Sequence, residues 1–460
     1  MNSEDRKFAL WTLAWPIFIE VLLQTLLGTV DTFSVSQISD DAVAVVGLSN
    51  QLFNALMTLF MIAASGAGIL IAQRIGSGAR EDARTLAIIA LKVCGAIGLA
   101  ISVLLFAIPE PIARLLQMPE ELLQLSNSYI SIAGGAMVFT ALSAVLGTAI
   151  RSTGNTKAPM YIGIGVNLVH VAMNYAFIFG IMGFPEWGLT GVAVSTLISK
   201  VLAVVVLYAV FRHSFERKIE WFDLKLFDRG LFKEIIKIGW PLGVNMSAWV
   251  LTQLVMYSFL AMLGTKELAA KTYMNQLESF CFLLGYAFAL AVQIQIAHLF
   301  GAGRLKEAYQ AAYRALYIGL AVVMLNTLLL VLFGKTMLGW FTSDPSVIEM
   351  CLPLLFLNFL LQPGKMLNMA VTSALNAVGD TKFNMYVAMV SMWLVAVGCS
   401  WLFGVSMGWG IIGIYISMTA DEYLRGVISL LRWRGKKFLY KKIANGASGE
   451  VPAGGAAAGV

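Results

Sequence analysis

The 460-residue chain is 59% hydrophobic and 13% charged, with a mean hydropathy of +0.78 and a formal net charge of +6. Ordinary soluble domains lie near about 45–50% apolar and about 25% charged, so a soluble globular protein is excluded. About 20 apolar residues cross a bilayer as a helix, and the chain offers twelve such runs.

In chain order the runs are 8–33, 45–73, 84–108, 122–149, 158–182, 189–212, 231–262, 267–298, 307–333, 346–374, 383–404 and 409–432. Long continuous runs without two-residue alternation point to helices rather than a barrel. The expectation is an all-α polytopic membrane protein. The first run is too long for a signal peptide, carries Glu20 and lacks a small-residue cleavage site, so it reads as a retained span. Four scattered cysteines, Cys94, Cys281, Cys351 and Cys399, form no CxxC pair and read as packing residues. With the N-terminus inside, 24 of the 32 Lys and Arg fall on inner segments, including Arg74, Arg80, Arg84, Arg151 and Lys157. Only Arg114, Lys266, Lys271 and Lys335 fall on outer loops. This positive-inside bias puts both termini in the cytoplasm. It accounts for the basic charge without a nucleic-acid partner.

The chain reads as two copies of one unit. LAWPI at 13–17 returns as IGWPL at 238–242, and AQRIGSGAREDA at 72–83 returns as AHLFGAGRLKEA at 297–308. NQL at 50–52 returns at 275–277, and STGNTKAPM at 152–160 as AVGDTKFNM at 377–385, all 225 residues apart. WGLTGVAVS at 187–195 and WGIIGIYIS at 409–417 are 222 apart, which implies one loop three residues shorter. Six spans per copy give both copies one orientation. Two lobes, 1–211 and 231–434, are then related by a pseudo-two-fold axis along the membrane normal, with a site between them. The charged segment 212–230 is the linker, and 435–460 is a basic, then low-complexity tail.

The first span carries the pattern Pro16, Glu20, Gln24, Val30-Asp31-Thr32. With AVAVVGLSNQ at 42–51, RSTGNTKAPM at 151–160 and NYAFIFG followed by WGLTGVAVSTLIS at 174–199, it resembles the multidrug and toxic compound extrusion (MATE) family from about residue 8 to 434. The resemblance implies twelve helices in two lobes. It also implies export of organic, often cationic compounds against inward flow of H⁺ or Na⁺. The wider superfamily includes lipid-linked precursor flippases.

At 100° per residue, Glu20, Gln24 and Asp31 fall within about 40° of one another. An acid at mid-bilayer costs about 2.5–3.5 kcal/mol, so the stripe must face a cavity or a partner. The second copy has Asn245, Trp249 and Met256 at the matching positions, so the scaffold does not need the acids. The resemblance gives Asp31 the cation-coupling role, and intramembrane acids mark pathways by default, so Glu20 is grouped with it. Asn167, His170 and Asn174 share one face of span five. The family's sodium-associated pattern has Asn and Asp at the positions of His170 and Asn174. Thr196 matches that pattern, but a histidine is a poor sodium ligand and titrates near neutrality. Proton coupling is therefore favoured, with sodium as the alternative. Asp40 and Asp41 read as a loop or cap for span two.

Lys200, one turn beyond Thr196, is a partner for Glu20 or Asp31. The second half has Glu278, Lys365, and Asp421, Glu422 and Arg425. Glu422 and Arg425, three apart, suit a structural pair. Lys365 follows Pro363-Gly364, which should bend its helix beside a charge. Glu278 is read as a contact for a cationic substrate or a partner of Lys365. With Gln24, Lys200, Tyr257 and Tyr273 these form the candidate substrate set; Trp249 and Phe280 are further lining candidates. No phosphate loop, histidine cluster or nucleophile–base pair is present, so a pump, an enzyme, a metal site and a cofactor are not expected. The expected partners are small organic compounds, H⁺ or Na⁺, and the bilayer, with the chain acting as a monomer.

Overall fold

A computed structural model describes residues 7–436 other than 221, 222 and 224; the side chains of Met182 and Phe280, and the tail beyond 436, lie outside the described residues. Among the described residues the fold is all helix. The first copy contains α1 (Leu10–Ser36), α2 (Asp40–Gly76), α3 (Arg80–Ala107) and a short α4 (Pro109–Leu115). It continues with α5 (Leu123–Gly135) and α6 (Met137–Ser152), which together form one span, then α7 (Lys157–Phe179) and α8 (Gly188–Phe211). The second copy contains α9 (Arg229–Leu263), α10 (Thr265–Gly301), α11 (Leu305–Leu338), α12 (Pro345–Ala377), α13 (Thr381–Ser391) and α14 (Gly410–Arg434). α13 runs on into a π-wound stretch, Met392–Ser406.

All twelve expected spans are helical. Eleven are long and apolar enough to cross a membrane; α14 falls outside that set, because Asp421, Glu422 and Arg425 interrupt its apolar face. Asp40 and Asp41 sit in the first turn of α2, where acids suit the helix dipole, but the cap itself is the Ser39 hydroxyl, which accepts from the Ala42 N–H at 3.1 Å.

The 225-residue repeat becomes symmetric packing. α1 packs on α10, its counterpart α9 packs on α2, and α2 packs on α10. Where α2 meets α10, a Cβ on Gly76 would lie 2.0 Å from the His298 carbonyl oxygen, and one on Gly301 would lie 1.9 Å from that of Gln73. Each clash is the other's image 225 residues on. The glycines of the GSG and GAG motifs therefore let two backbones cross at the axis, where any side chain would hold them apart. Gly66 and Gly239 do the same between α2 and α9; the matching α1–α10 positions are Ala14 and Ala291, both buried. Arg74 to Glu234 at 2.7 Å and Gln73 Nε2 to the Ala377 carbonyl at 2.6 Å add polar ties between the copies. These contacts lie at the end of the bundle where α1 begins and α14 ends.

The offset of 222 has two parts. Phe177 stacks on Trp187 at 5.0 Å, and Phe403 stacks on Trp409 at 5.3 Å, closing equivalent hairpins. The second hairpin is four residues shorter, but its span holds one residue more. The π winding absorbs that extra residue, since π geometry accommodates insertions in a helix.

Candidate functional site

Several groups of polar side chains lie inside the bundle, and the acids of α1 belong to different ones. Eleven residues of helix separate Glu20 from Asp31, about 16 Å at 1.5 Å per residue. They share a face of α1 but meet different partners.

Asp31 meets the polar face of α7. Its Oδ1 lies 2.9 Å from His170 Nε2 and accepts from Asn174 Nδ2 at 2.8 Å. His170 and Asn174 are buried, while the Asp31 side chain keeps 30% exposure. Behind the ring, His170 Nδ1 is 3.1 Å from Ser199 Oγ, and that hydroxyl donates to the Ser195 carbonyl at 2.7 Å. Ser199 was not singled out from sequence, because one serine in an apolar helix carries no pattern. Its geometry matters here. With the Ser199 proton spent on Ser195, Nδ1 must donate to Oγ. The contact from Nε2 to Asp31 then needs a proton of its own, held as a neutral acid or as an imidazolium–carboxylate pair. Asn174 Nδ2 also lies 3.1 Å from His170 Nε2, so carboxyl, imidazole and amide form one connected group.

Other expected members stand apart. Asn167 is half-buried on the same face, without a described bond to Asp31, and Thr196 donates back to the Val192 carbonyl at 3.0 Å. Lys200 is within electrostatic reach of Asp31, with no described ion pair to it or to Glu20. Gln24 is exposed.

Glu20 has a different partner. Its Oε1 accepts from Arg151 at 2.7 Å, and Arg151 also donates to Thr148 Oγ1 at 3.1 Å. Arg151, expected in an inner loop, instead ends α6 with its side chain 15% exposed and faces the cavity.

The cavity, of about 410 Å³, lies mostly against the second copy. Its wall holds Met246, Trp249, Phe282, Tyr286, Met369 and Met418, with the charged groups Arg151, Lys365, Glu422 and Arg425. Of the candidate substrate set, only Lys365 lines it; Trp249 does so as well. Tyr257 accepts a hydrogen bond from Asn275, and Tyr273 stacks on Phe341 at 6.1 Å, both away from the cavity lining. The Phe280 side chain lies outside the described residues.

Glu278 is buried behind Lys365. It accepts from Lys365 Nζ at 3.0 Å and from the Tyr415 hydroxyl at 2.7 Å, and Lys271 Nζ lies 3.9 Å away. Lys271 is not in an outer loop: it is 3% exposed within α10, bonded to Tyr415 at 3.2 Å. The pair Glu422–Arg425 forms at 2.9 Å, and Arg425 also holds Asp421 at 2.6 Å. α12 runs as one continuous helix through Pro353 and Pro363. At Gly364 a Cβ would lie 2.8 Å from the Tyr423 ring, so this glycine permits close approach of α14.

Known proteins place the chain in a family. The MatE profile matches twice, at residues 16–176 and 241–402, in step with the internal repeat. The uncharacterized transporter YisQ of Bacillus subtilis is 32% identical, covering 96% of this chain and 97% of its own length. The probable multidrug resistance protein NorM of Thermotoga maritima is 28% identical over 91% of the chain and 90% of its own. Among solved structures, a MATE protein in its bent conformation superposes with a TM-score of 0.87 at 18% identity, covering 97% of this chain and 99% of that one. An outward-facing MATE transporter superposes at 0.83 and 17% identity, covering 98% of this chain and 99% of that one. With twelve helical spans in two repeated lobes and a family profile that matches both, the chain is a multi-pass membrane protein of the MATE transporter family.

Proposed function

We propose that this protein is a proton-coupled secondary exporter of organic compounds in the cell membrane, with both termini cytoplasmic. The observation that carries the reading is the contact between Asp31 and His170. A carboxylate and an imidazole at 2.9 Å, half-sheltered from solvent, form a unit whose proton can come and go. Sodium coupling is less well supported. Na⁺ needs oxygen ligands turned inward, and here two nitrogens already meet Asp31 Oδ1.

Proton loading and cargo binding must favour different arrangements of the lobes, since a ligand shifts an equilibrium only by its differential affinity. In the arrangement described, the cluster between α1 and α7 fits a shared proton. Losing that proton would leave a net charge against apolar helices and favour a repacked α1. The lobes would then rock about the glycine crossing of α2 and α10. The names of the multidrug-resistance relatives support organic cargo.

The test is Asp31→Asn in proteoliposomes. Efflux driven by an imposed pH gradient should fall at least about tenfold, the lower range for loss of a positioned proton carrier being about 10²-fold in enzymes. Folding should survive, because the second copy buries Met256 at the equivalent position. Wild-type efflux in the variant, or efflux that follows a Na⁺ gradient instead, would overturn proton coupling.

A further inference from the structure

We propose that the central cavity receives its cargo by a carboxylate group, which docks on Lys365 while Glu278 transfers its charge partnership to Lys271. This names the cargo chemistry of the exporter read above and rests on that reading.

The starting point is a charge imbalance. Two buried lysines, Lys365 and Lys271, share one acid, Glu278, at 3.0 and 3.9 Å. Buried charges are paired wherever a fold allows it. Within ion-pair distance the two lysines outnumber their acid by one, and Glu422, which acts on Lys365 from further off, is itself held by Arg425 and Asn368. The two lysines are not equivalent. Lys271 is 3% exposed and closed in by Tyr415, over whose ring it also sits at 4.5 Å. Lys365 lines the cavity with 17% of its side chain exposed. An ammonium has three donors, and the described bonds of Lys365 use one, to Glu278. The excess charge therefore presents itself on the cavity side.

A carboxylate arriving from the cavity completes the count. Glu278 already leans on Tyr415 through the same Oε1 that faces Lys271, so it can stay with Lys271 while the cargo takes Lys365. Two acids then face two lysines, and every charge is paired. A cationic cargo at Lys365 would instead meet like charge, with Glu278 buried behind the lysine. The acids of α1 are not in the cavity wall. Asp31 faces α7, and Glu20 stands behind Arg151.

The opposite imbalance exists on α14, where Arg425 serves both Asp421 and Glu422, and Glu422 is also held by Asn368 at 2.7 Å. Glu422 lines the cavity. A cargo bearing an ammonium as well as a carboxylate could use it, so simple anions and zwitterions share the Lys365 contact. Trp249, Phe282, Tyr286 and the methionines provide the wall for an aromatic body.

The experiment is calorimetric titration of the purified full chain in lipid nanodiscs with four probes of one size: 2-naphthoate, its methyl ester, N-methylquinolinium and an aminomethyl-2-naphthoate zwitterion. The carboxylates should bind at least about tenfold more tightly than the ester, the equivalent of one charge-assisted hydrogen bond. Lys365→Met should abolish the preference and Lys365→Arg should retain it. Lys271→Met, remote from the probe, should reduce it, because Glu278 then has only Lys365. Each methionine variant leaves Glu278 with one lysine, so folding is expected, and thermal unfolding checks it. A zwitterion that outbinds naphthoate would add Glu422 to the site while keeping the Lys365 dependence. Equal binding of ester and acid, a preference for N-methylquinolinium, or a preference that survives Lys365→Met would overturn the proposal. An unchanged preference in Lys271→Met would overturn the exchange of partners. Asp31→Asn should keep the carboxylate preference while losing gradient-driven efflux, so the cargo and coupling readings fail separately.

Discussion

At the scale of single residues, chemistry depends on what stands opposite each charge. Asp31 and Glu20 have the same sequence credentials: two acids on one face of an apolar helix. Asp31 meets an imidazole, a group able to share a proton with it, and an amide, which only donates a hydrogen bond. Glu20 meets a guanidinium at 2.7 Å, whose proton is not available for exchange. The two positions should therefore respond differently to neutralisation. Glu20→Gln strands Arg151 in a wall where its side chain is 15% exposed. Gln can still accept from the guanidinium, but the compensating charge is lost. A largely buried charge left unpaired, at a cost of up to about 3–5 kcal/mol, should appear as a lower midpoint of thermal unfolding in detergent. The pH dependence of efflux should keep its shape in that variant. A changed pH profile with unaltered stability would move Glu20 into the coupling group.

At the scale of elements, the crossing of α2 and α10 depends on the absence of side chains. Gly301→Val puts its Cβ where the Gln73 carbonyl oxygen now lies, 1.9 Å from an ideal position. No rotamer relieves a clash with backbone, so the helices must separate. Overpacking of this kind costs about 1–3 kcal/mol or more. Gly28 makes a useful contrast: it sits within α1 with nothing within 4 Å of a built Cβ. Gly28→Ala should raise stability by about 0.5–1 kcal/mol, the ordinary gain in a helix interior. Thermal unfolding of the two variants decides the point; equal effects would mean that the crossing is not a tight contact.

At the scale of the whole molecule, the two copies are tied by the linker as well as by their helices. Asp223 in the linker pairs with Arg84, the buried arginine of the first turns of α3. The Glu220 backbone N–H, which donates to Asp223 Oδ2 at 2.8 Å, and then the Arg84 side chain hold the Asp223 carboxyl below its ordinary range. A depressed carboxyl pKa contributes stability that is complete above its unfolded value of about 3.9 and is lost as pH falls through the folded value. The linker should thus stay docked through the physiological range and loosen only below about pH 4. Limited proteolysis between 212 and 230 at falling pH reads this directly. Cleavage that already rises near pH 6 would contradict it.

Hydrophobicity and repetition determined much of this protein from sequence alone. Lipid is a uniform solvent that requires long apolar helices with internally paired backbones, so the twelve spans are legible in composition. The 225-residue repeat carries the two-lobe fold because equivalent sequences bury equivalent faces. The repeated GSG and GAG motifs were visible too, though not their crossing. The tertiary structure decided everything that depends on which helix stands opposite which. Arg151 and Glu20 are 131 residues apart, Lys365 and Glu278 are 87, and Ser199 is joined to Asp31 only through His170. Lys271 read as a loop charge because local sequence cannot register burial against Tyr415, 144 residues away. Helical periodicity reports the face of a charge, whereas its partner, and therefore its chemistry, is a property of packing.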